Sequence, residues 1–200
     1  LPGKSESYPD AKRIKIKNLK LIKNLKFKIK NSKRIALTGN EAMAYAMKQA
    51  RPDVFIGYPI TPTSDILNAM AKYAAEGELE TEFVTAESEH SVAAALFGAA
   101  AAGARAFTCT ASQGLALMHE VLHIISGARL PIVIASSSRA LSSPINVHGD
   151  HQDFMDMRDA SFIQIFSENS QDSYDNLLQA IKIAEKVKLP AIVSSDGFIT

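Results

Sequence analysis

From about residue 34 onward the chain repeats one unit, a short continuous apolar run followed by a segment long enough for a helix. The runs are DVFIG (53–57), EFVT (82–85), AFTCT (106–110), PIVIAS (131–136), FIQIF (162–166) and AIVS (191–194). Strands that are apolar without alternation are buried on both faces, and strands joined through helices must lie parallel. The expected fold is therefore α/β: a three-layer α/β/α domain over 34–200 with a mostly parallel sheet. RIALTGNEAMAYAMKQA, at the front of this domain, reads as a short strand and then an amphipathic helix with Asn40 as its N-cap. Further helices are expected from Pro62 or Thr63 to Ala75, from Glu89 through the alanines, over Gly114–Gly127, briefly near Asp150–Arg158, and over Gln171–Lys188.

The residues before this domain are of another kind. Positions 1–34 hold 12 of the 22 Lys and Arg but only 2 of the 21 Asp and Glu, so a basic leader precedes an acidic domain. Its apolar residues mostly alternate with lysines, which fits β-type segments with a solvated or partner-docked Lys face. A basic strip can also track phosphates. An oligomer contact is the favoured reading over nucleic acid, and the extension is assigned to residues 1–33.

Hydrophobic content of 46% is enough for a sizeable core. A single cysteine excludes an internal disulfide and a self-contained iron–sulfur cluster, which needs about four thiolates; it favours a reducing, cytoplasmic setting. No apolar run reaches the roughly 20 residues of a membrane span, and the N-terminus has no signal-peptide pattern.

In parallel α/β sheets ligands bind beyond the carboxyl ends of the strands. Four turns should share that rim: YPITPTSD (58–65), TAESEH (85–90), TASQG (110–114) and SSSRALSSPINVHGDHQD (136–153). In the first, two prolines restrict the residues before them and so place the Thr61 hydroxyl reproducibly; Pro62 in a first helical turn is also ordinary helix-start chemistry. In the second, Glu89 opens an Ala/Gly-rich helix behind Ser88, a candidate N-cap. Small side chains let another backbone come close, so this carboxylate is held by a dry, tightly packed element and is the candidate cofactor contact. Five other glutamates crowd 76–87 and read as solvated. Arg139, just past a buried strand, can grip a carboxylate bidentately or form a surface ion pair.

Other candidates are weaker. HGDHQD (148–153) has two His and two Asp, but its spacing matches no standard zinc set, and loop structure with capping by Asp150 accounts for it. His119 and His123 read as packing or interface residues, and Cys109, inside a strand, as a small hydrophobe. GxGxxG and Walker phosphate loops are absent.

YPITPTSD, ESEH with its alanine helix, TASQGLALMHE and SRAL…HGDHQD, in this order, resemble the α subunit of 2-oxoacid:ferredoxin oxidoreductases, most closely those acting on pyruvate. The resemblance covers about 34–200 and implies a pyrimidine-binding domain for thiamine diphosphate. It places the cofactor glutamate on Glu89, a substrate-contacting threonine on Thr61 and the substrate-carboxylate arginine on Arg139. It also has Tyr58, Pro59, Ile60 and Thr61 line the aminopyrimidine site. A carboxylate bonded to the pyrimidine ring nitrogen favours the imino tautomer that serves as the cofactor's internal base, and a water-poor site makes that bond matter.

The family's GDG signature for metal and diphosphate, with its downstream asparagines, is missing; GD at 149–150 is followed by His151. The resemblance thus puts no metal on this chain and gives the diphosphate and Mg2+ to a partner β subunit. It gives [4Fe-4S] clusters to partner chains, with γ and ferredoxin-like δ subunits, ferredoxin and coenzyme A completing the system. The chain looks like the first domain of a longer subunit. Pyruvate is the favoured substrate, with 2-oxoglutarate, branched or aryl 2-oxoacids and oxalate as alternatives. A non-catalytic assembly subunit of the same fold is the reading from another class.

Overall fold

The computed structural model describes residues 34–142, 144–146 and 148–198; the basic extension, read as β-type segments, lies outside them. From Ala36 on, the chain forms one compact unit. Its elements in order are α1 (Gly39–Ala50), β1 (Val54–Gly57), α2 (Ser64–Ala75), β2 (Glu82–Thr85), α3 (Glu89–Ala101), β3 (Ala106–Thr110), α4 (Ser112–Gly127), β4 (Val133–Ser138), a short α5 (Gln152–Asp156) running into a 3-10 turn, β5 (Ile163–Ser167), α6 (Ser170–Val187) and β6 (Ala191–Asp196). The six strands form one sheet in the order β2-β1-β3-β4-β6-β5, every pair parallel. All carboxyl ends therefore share one edge, as the strand–helix alternation requires.

Side chains alternate across the central strands, and the two faces carry separate cores. Phe55, Phe107, Cys109, Val133, Ala135, Ala191 and Val193 face α1, α2 and α6. Their neighbours Ile56, Ala106, Ile134 and Ile192 face α3, α4 and the α5 segment. Helices cover both faces, so the layers are α/β/α. Burying each large apolar side chain contributes roughly 1.5–3 kcal/mol, which explains why the inner strands tolerate no exposed position.

Four sequence expectations shift. No strand forms over Arg34–Thr38 among the described residues. Thr38, not Asn40, caps α1: its hydroxyl accepts from Glu41 N–H at 3.2 Å and Glu41 returns a bond to Thr38 N–H at 2.8 Å. That reciprocal box satisfies two otherwise orphaned donors and frees Asn40 for another use. Pro62 stands before rather than within the first turn of α2, which starts at Ser64. Strand β4 runs two residues beyond the apolar run, because Ser136, Ser137 and Ser138 pair with Ser194, Ser195 and Asp196 of β6. A serine run reads as loop, yet these serines are buried between two strands that supply their backbone partners.

Candidate active site

The chain runs from β1 to β2 on one side and returns past β1 to β3 on the other. The turns after β1 and β3 therefore diverge, which opens a crevice at their carboxyl ends. Helix α3 makes that return crossing, and Glu89 is its first residue. Ser88 caps it, its hydroxyl accepting from Ser91 N–H at 3.2 Å, as expected. Of the six glutamates between 76 and 89 only Glu89 is buried, at 7% exposure. A helix N-terminus favours a carboxylate there, but the seat is made by α4. A Cβ on Gly114 would stand 2.6 Å from Glu89 Oε1 and 2.5 Å from Thr110 Oγ1. Glycine is required at 114 because the carboxylate occupies the space of its side chain. Thr110 Oγ1 beside it is buried with no hydrogen-bond partner. An acid in the first turn of α3 and an unpaired hydroxyl at the end of β3, both against Gly114 in the first turn of α4, suit a polar ring group better than an apolar one.

Thr61 is exposed at the same edge, with Pro59 exposed and Tyr58 and Ile60 half-buried. The Thr61–Pro62 peptide is cis. Thr63 closes the turn by donating from its hydroxyl to the Ile60 carbonyl at 2.9 Å. Asn40, 2% exposed, then ties this turn to the end of β4: its Nδ2 donates to the Pro62 carbonyl at 2.9 Å, and its Oδ1 accepts from the Ser137 hydroxyl at 2.5 Å. Gly197 makes the second link. Its N–H donates to the Ser138 carbonyl at 2.9 Å, and a Cβ there would meet Pro62 Cγ at 2.6 Å and Ser138 O at 2.7 Å. Thr61 and Arg139 thus follow from backbone segments packed against one another.

Arg139 leaves β4 half-buried, with its Nε buried and unpartnered. Its N–H donates to Asp153 Oδ2 at 3.0 Å, and the same oxygen accepts from Ser112 N–H at 2.6 Å. Burial raises the Asp153 carboxyl above the usual carboxylate range, while the N–H donors of Ser112, Arg139 and Phe154 and the Ser138 hydroxyl pull it back. Asp150 accepts from Gln152 N–H at 2.8 Å, and His151 Nε2 lies 3.2 Å from Asp196 Oδ2. Asp150, His151 and Asp153 of HGDHQD thus have protein partners, Asp150 a local one and His151 and Asp153 distant ones, and the N-cap position of α5 is His151 rather than Asp150. The rings of His119 and His123 on α4 lie 4.9 Å apart and tilted by 58°, His119 half-buried and His123 exposed. Cys109 is buried and its thiol is pushed up to about 12 by desolvation, so it is no nucleophile.

The structure thus brings the four turns to one edge, seats Glu89, and packs the Thr61 turn against the start of the Arg139 loop. The sequence reading assigned no such role to Asn40 or Asp153. A signal for Asn40 was present: with Met43, Ala44 and Met47 it lies on the buried stripe of α1 at helical spacing, where a polar residue must find partners. Asp153, beside buried Phe154, carries a fainter one.

The family described as "Pyruvate flavodoxin/ferredoxin oxidoreductase, thiamine diP-bdg" matches residues 45–200. Among curated proteins, pyruvate synthase subunit PorA of Thermotoga maritima is 51% identical over 168 residues, covering 83% of this chain and 43% of that protein. Ketoisovalerate oxidoreductase subunit VorA of Pyrococcus abyssi is 47% identical over 163 residues, covering 82% of this chain and 41% of that protein. The chain therefore spans about two fifths of the length of these relatives. A solved 2-oxoglutarate:ferredoxin oxidoreductase from Magnetococcus marinus, with 2-oxoglutarate, coenzyme A and succinyl-CoA bound, superposes with a TM-score of 0.75 at 27% identity, over 82% of this chain and 30% of that one. By this match and by its fold, the chain belongs to the thiamine diphosphate-binding family of the pyruvate flavodoxin/ferredoxin oxidoreductases.

Proposed function

We propose that this domain forms the pyrimidine side of a thiamine diphosphate site shared with a partner chain, in an enzyme that oxidatively decarboxylates a 2-oxoacid to an acyl-CoA and passes electrons to ferredoxin. The observation that carries this reading is the buried Glu89 carboxylate in its Gly114 seat beside the unpaired Thr110 hydroxyl. These residues fit the cofactor, whose thiazolium supplies the carbanion chemistry that carbon–carbon cleavage next to a ketone needs. Glu89 would accept a hydrogen bond from the pyrimidine ring in a site dry enough for that bond to bias the ring's tautomer. Tyr58, Pro59, Ile60 and Thr61 would line the ring. The Thr61 hydroxyl would orient the keto group, and the Arg139 guanidinium would hold the substrate carboxylate.

A β subunit would hold the diphosphate and Mg2+. The [4Fe-4S] clusters would sit on partner chains, with γ and ferredoxin-like δ subunits in the assembly. Pyruvate is the favoured acid because the PorA relative is a pyruvate synthase subunit; the VorA relative, only slightly less similar, makes a branched 2-oxoacid the runner-up. The test is reconstitution of the full-length subunit with its partners, followed by assay across pyruvate, 2-oxoisovalerate and 2-oxoglutarate. Glu89→Ala should lower decarboxylation more than about tenfold, at least ~1.4 kcal/mol of transition-state stabilisation. A smaller loss removes Glu89 from the chemistry. Calorimetric titration with thiamine diphosphate separates an active site from a non-catalytic assembly domain, which would release no heat of binding.

A further inference from the structure

The seat of Glu89 and the backbone of Arg139 meet at one buried carboxylate. Asp153 is 1% exposed in the first turn of α5. Its Oδ2 accepts from Ser112 N–H at 2.6 Å and from Arg139 N–H at 3.0 Å, and its Oδ1 from Phe154 N–H at 2.7 Å. Ser112 has φ +48, in the left-handed region, and its hydroxyl donates to the Ala140 carbonyl at 2.6 Å. Ser112 opens the helical turn that contains Gly114. The turn that seats Glu89 and the segment that starts with Arg139 are therefore tied twice, once through Asp153 and once through the Ser112 hydroxyl.

A buried carboxylate is costly unless its lone pairs are used. One oxygen that accepts two backbone N–H groups is a task for an acceptor-only group. An asparagine would turn its NH2 toward a donor, or offer its one carbonyl oxygen and leave Phe154 N–H without a partner. The unpartnered Nε shows that no contact at that atom anchors the Arg139 side chain. The direction of the guanidinium depends instead on its backbone, which Asp153 holds.

We infer that Asp153 is a positioning residue that fixes Arg139 relative to the Glu89 seat, so that the substrate carboxylate is gripped in register with the cofactor ring. This rests on the reading of Arg139 and Glu89 given above. Asp153→Asn and Arg139→Gln, singly and together, are to be compared in the assembled enzyme, with the KM for the 2-oxoacid, kcat, thiamine diphosphate affinity and Tm measured for each. Asp153→Asn should raise KM about tenfold while thiamine diphosphate affinity stays within about threefold, and in the Arg139→Gln background it should change KM less than about threefold.

A brace that only supports the fold would lower Tm and the active fraction and leave KM unmoved, which overturns the inference. So would a KM effect of equal size in both backgrounds. Should Asp153→Asn fail to assemble, Ser112→Gly removes the second tie while remaining at ease at positive φ; it should raise KM about threefold, and an unchanged KM counts against the clamp. The two readings fail in different ways. If Arg139→Gln raises KM and Asp153→Asn does not, only the inference about Asp153 falls. If Arg139→Gln leaves KM unchanged, the substrate role of Arg139 falls and the inference falls with it.

Discussion

A hydrogen atom in the place of a side chain decides where Glu89 can lie. Gly114→Ala would drive a Cβ to 2.6 Å from the Glu89 carboxylate and 2.5 Å from Thr110 Oγ1, so the acid must leave its seat or the first turn of α4 must shift. Overpacking of this kind costs about 1–3 kcal/mol. We expect a lower Tm together with weaker thiamine diphosphate binding by titration; retention of both would show that the seat is loose. Cys109 carries a second prediction at this scale. Its thiol ionises near 12 in the folded protein, against an ordinary value of 9.0. The unfolded chain therefore loses the proton first, and folded-state stability falls as pH rises through that window. Iodoacetamide at pH 8 should leave Cys109 unmodified until denaturant is added, as mass spectrometry would read directly; prompt modification of the native protein would contradict the buried placement.

Helix α3 has two different ends. Its first residue is the buried acid, and beyond His90 its exposed positions are Ala94, Ala95, Gly98 and Ala101, with no long side chain. Nothing lies within 4 Å of where a Cβ on Gly98 would be. In this helix interior Gly98→Ala should therefore raise stability by about 0.5–1 kcal/mol through the lost freedom of the unfolded chain, measured by denaturant unfolding of the domain. A destabilised variant would mean that another surface needs the glycine. The sequence shows this helix clearly, because its cap and its alanines are local signals. It also shows the other long helices to within a residue or two. It does not show the turn of α4, where Ser112 at φ +48 opens the helix two residues ahead of the glycine at which sequence starts it.

As a whole, the chain spans about two fifths of the length of its curated relatives, and the shared site proposed above needs a partner for its diphosphate and metal half. Residues 34–200 purified alone should show no 2-oxoacid decarboxylation, while the full subunit reconstituted with a β partner should turn over. Activity of the isolated domain would refute the shared site. No helix among the described residues is long and apolar enough to cross a membrane.

Sequence by itself determined the strand–helix alternation, hence a parallel sheet with its ligand edge at the carboxyl ends, and it singled out Glu89, Thr61 and Arg139 as candidates on that edge. These are properties of local pattern: apolar runs, caps and turn residues act within a few positions. Tertiary structure alone decided that Asn40 bridges Pro62 and Ser137 and that Asp153 bridges Ser112 and Arg139. Such bonds join residues 14 to 97 positions apart. A buried polar side chain must find a partner, but its own sequence does not say which strand end or helix turn will supply one until the sheet has brought them together.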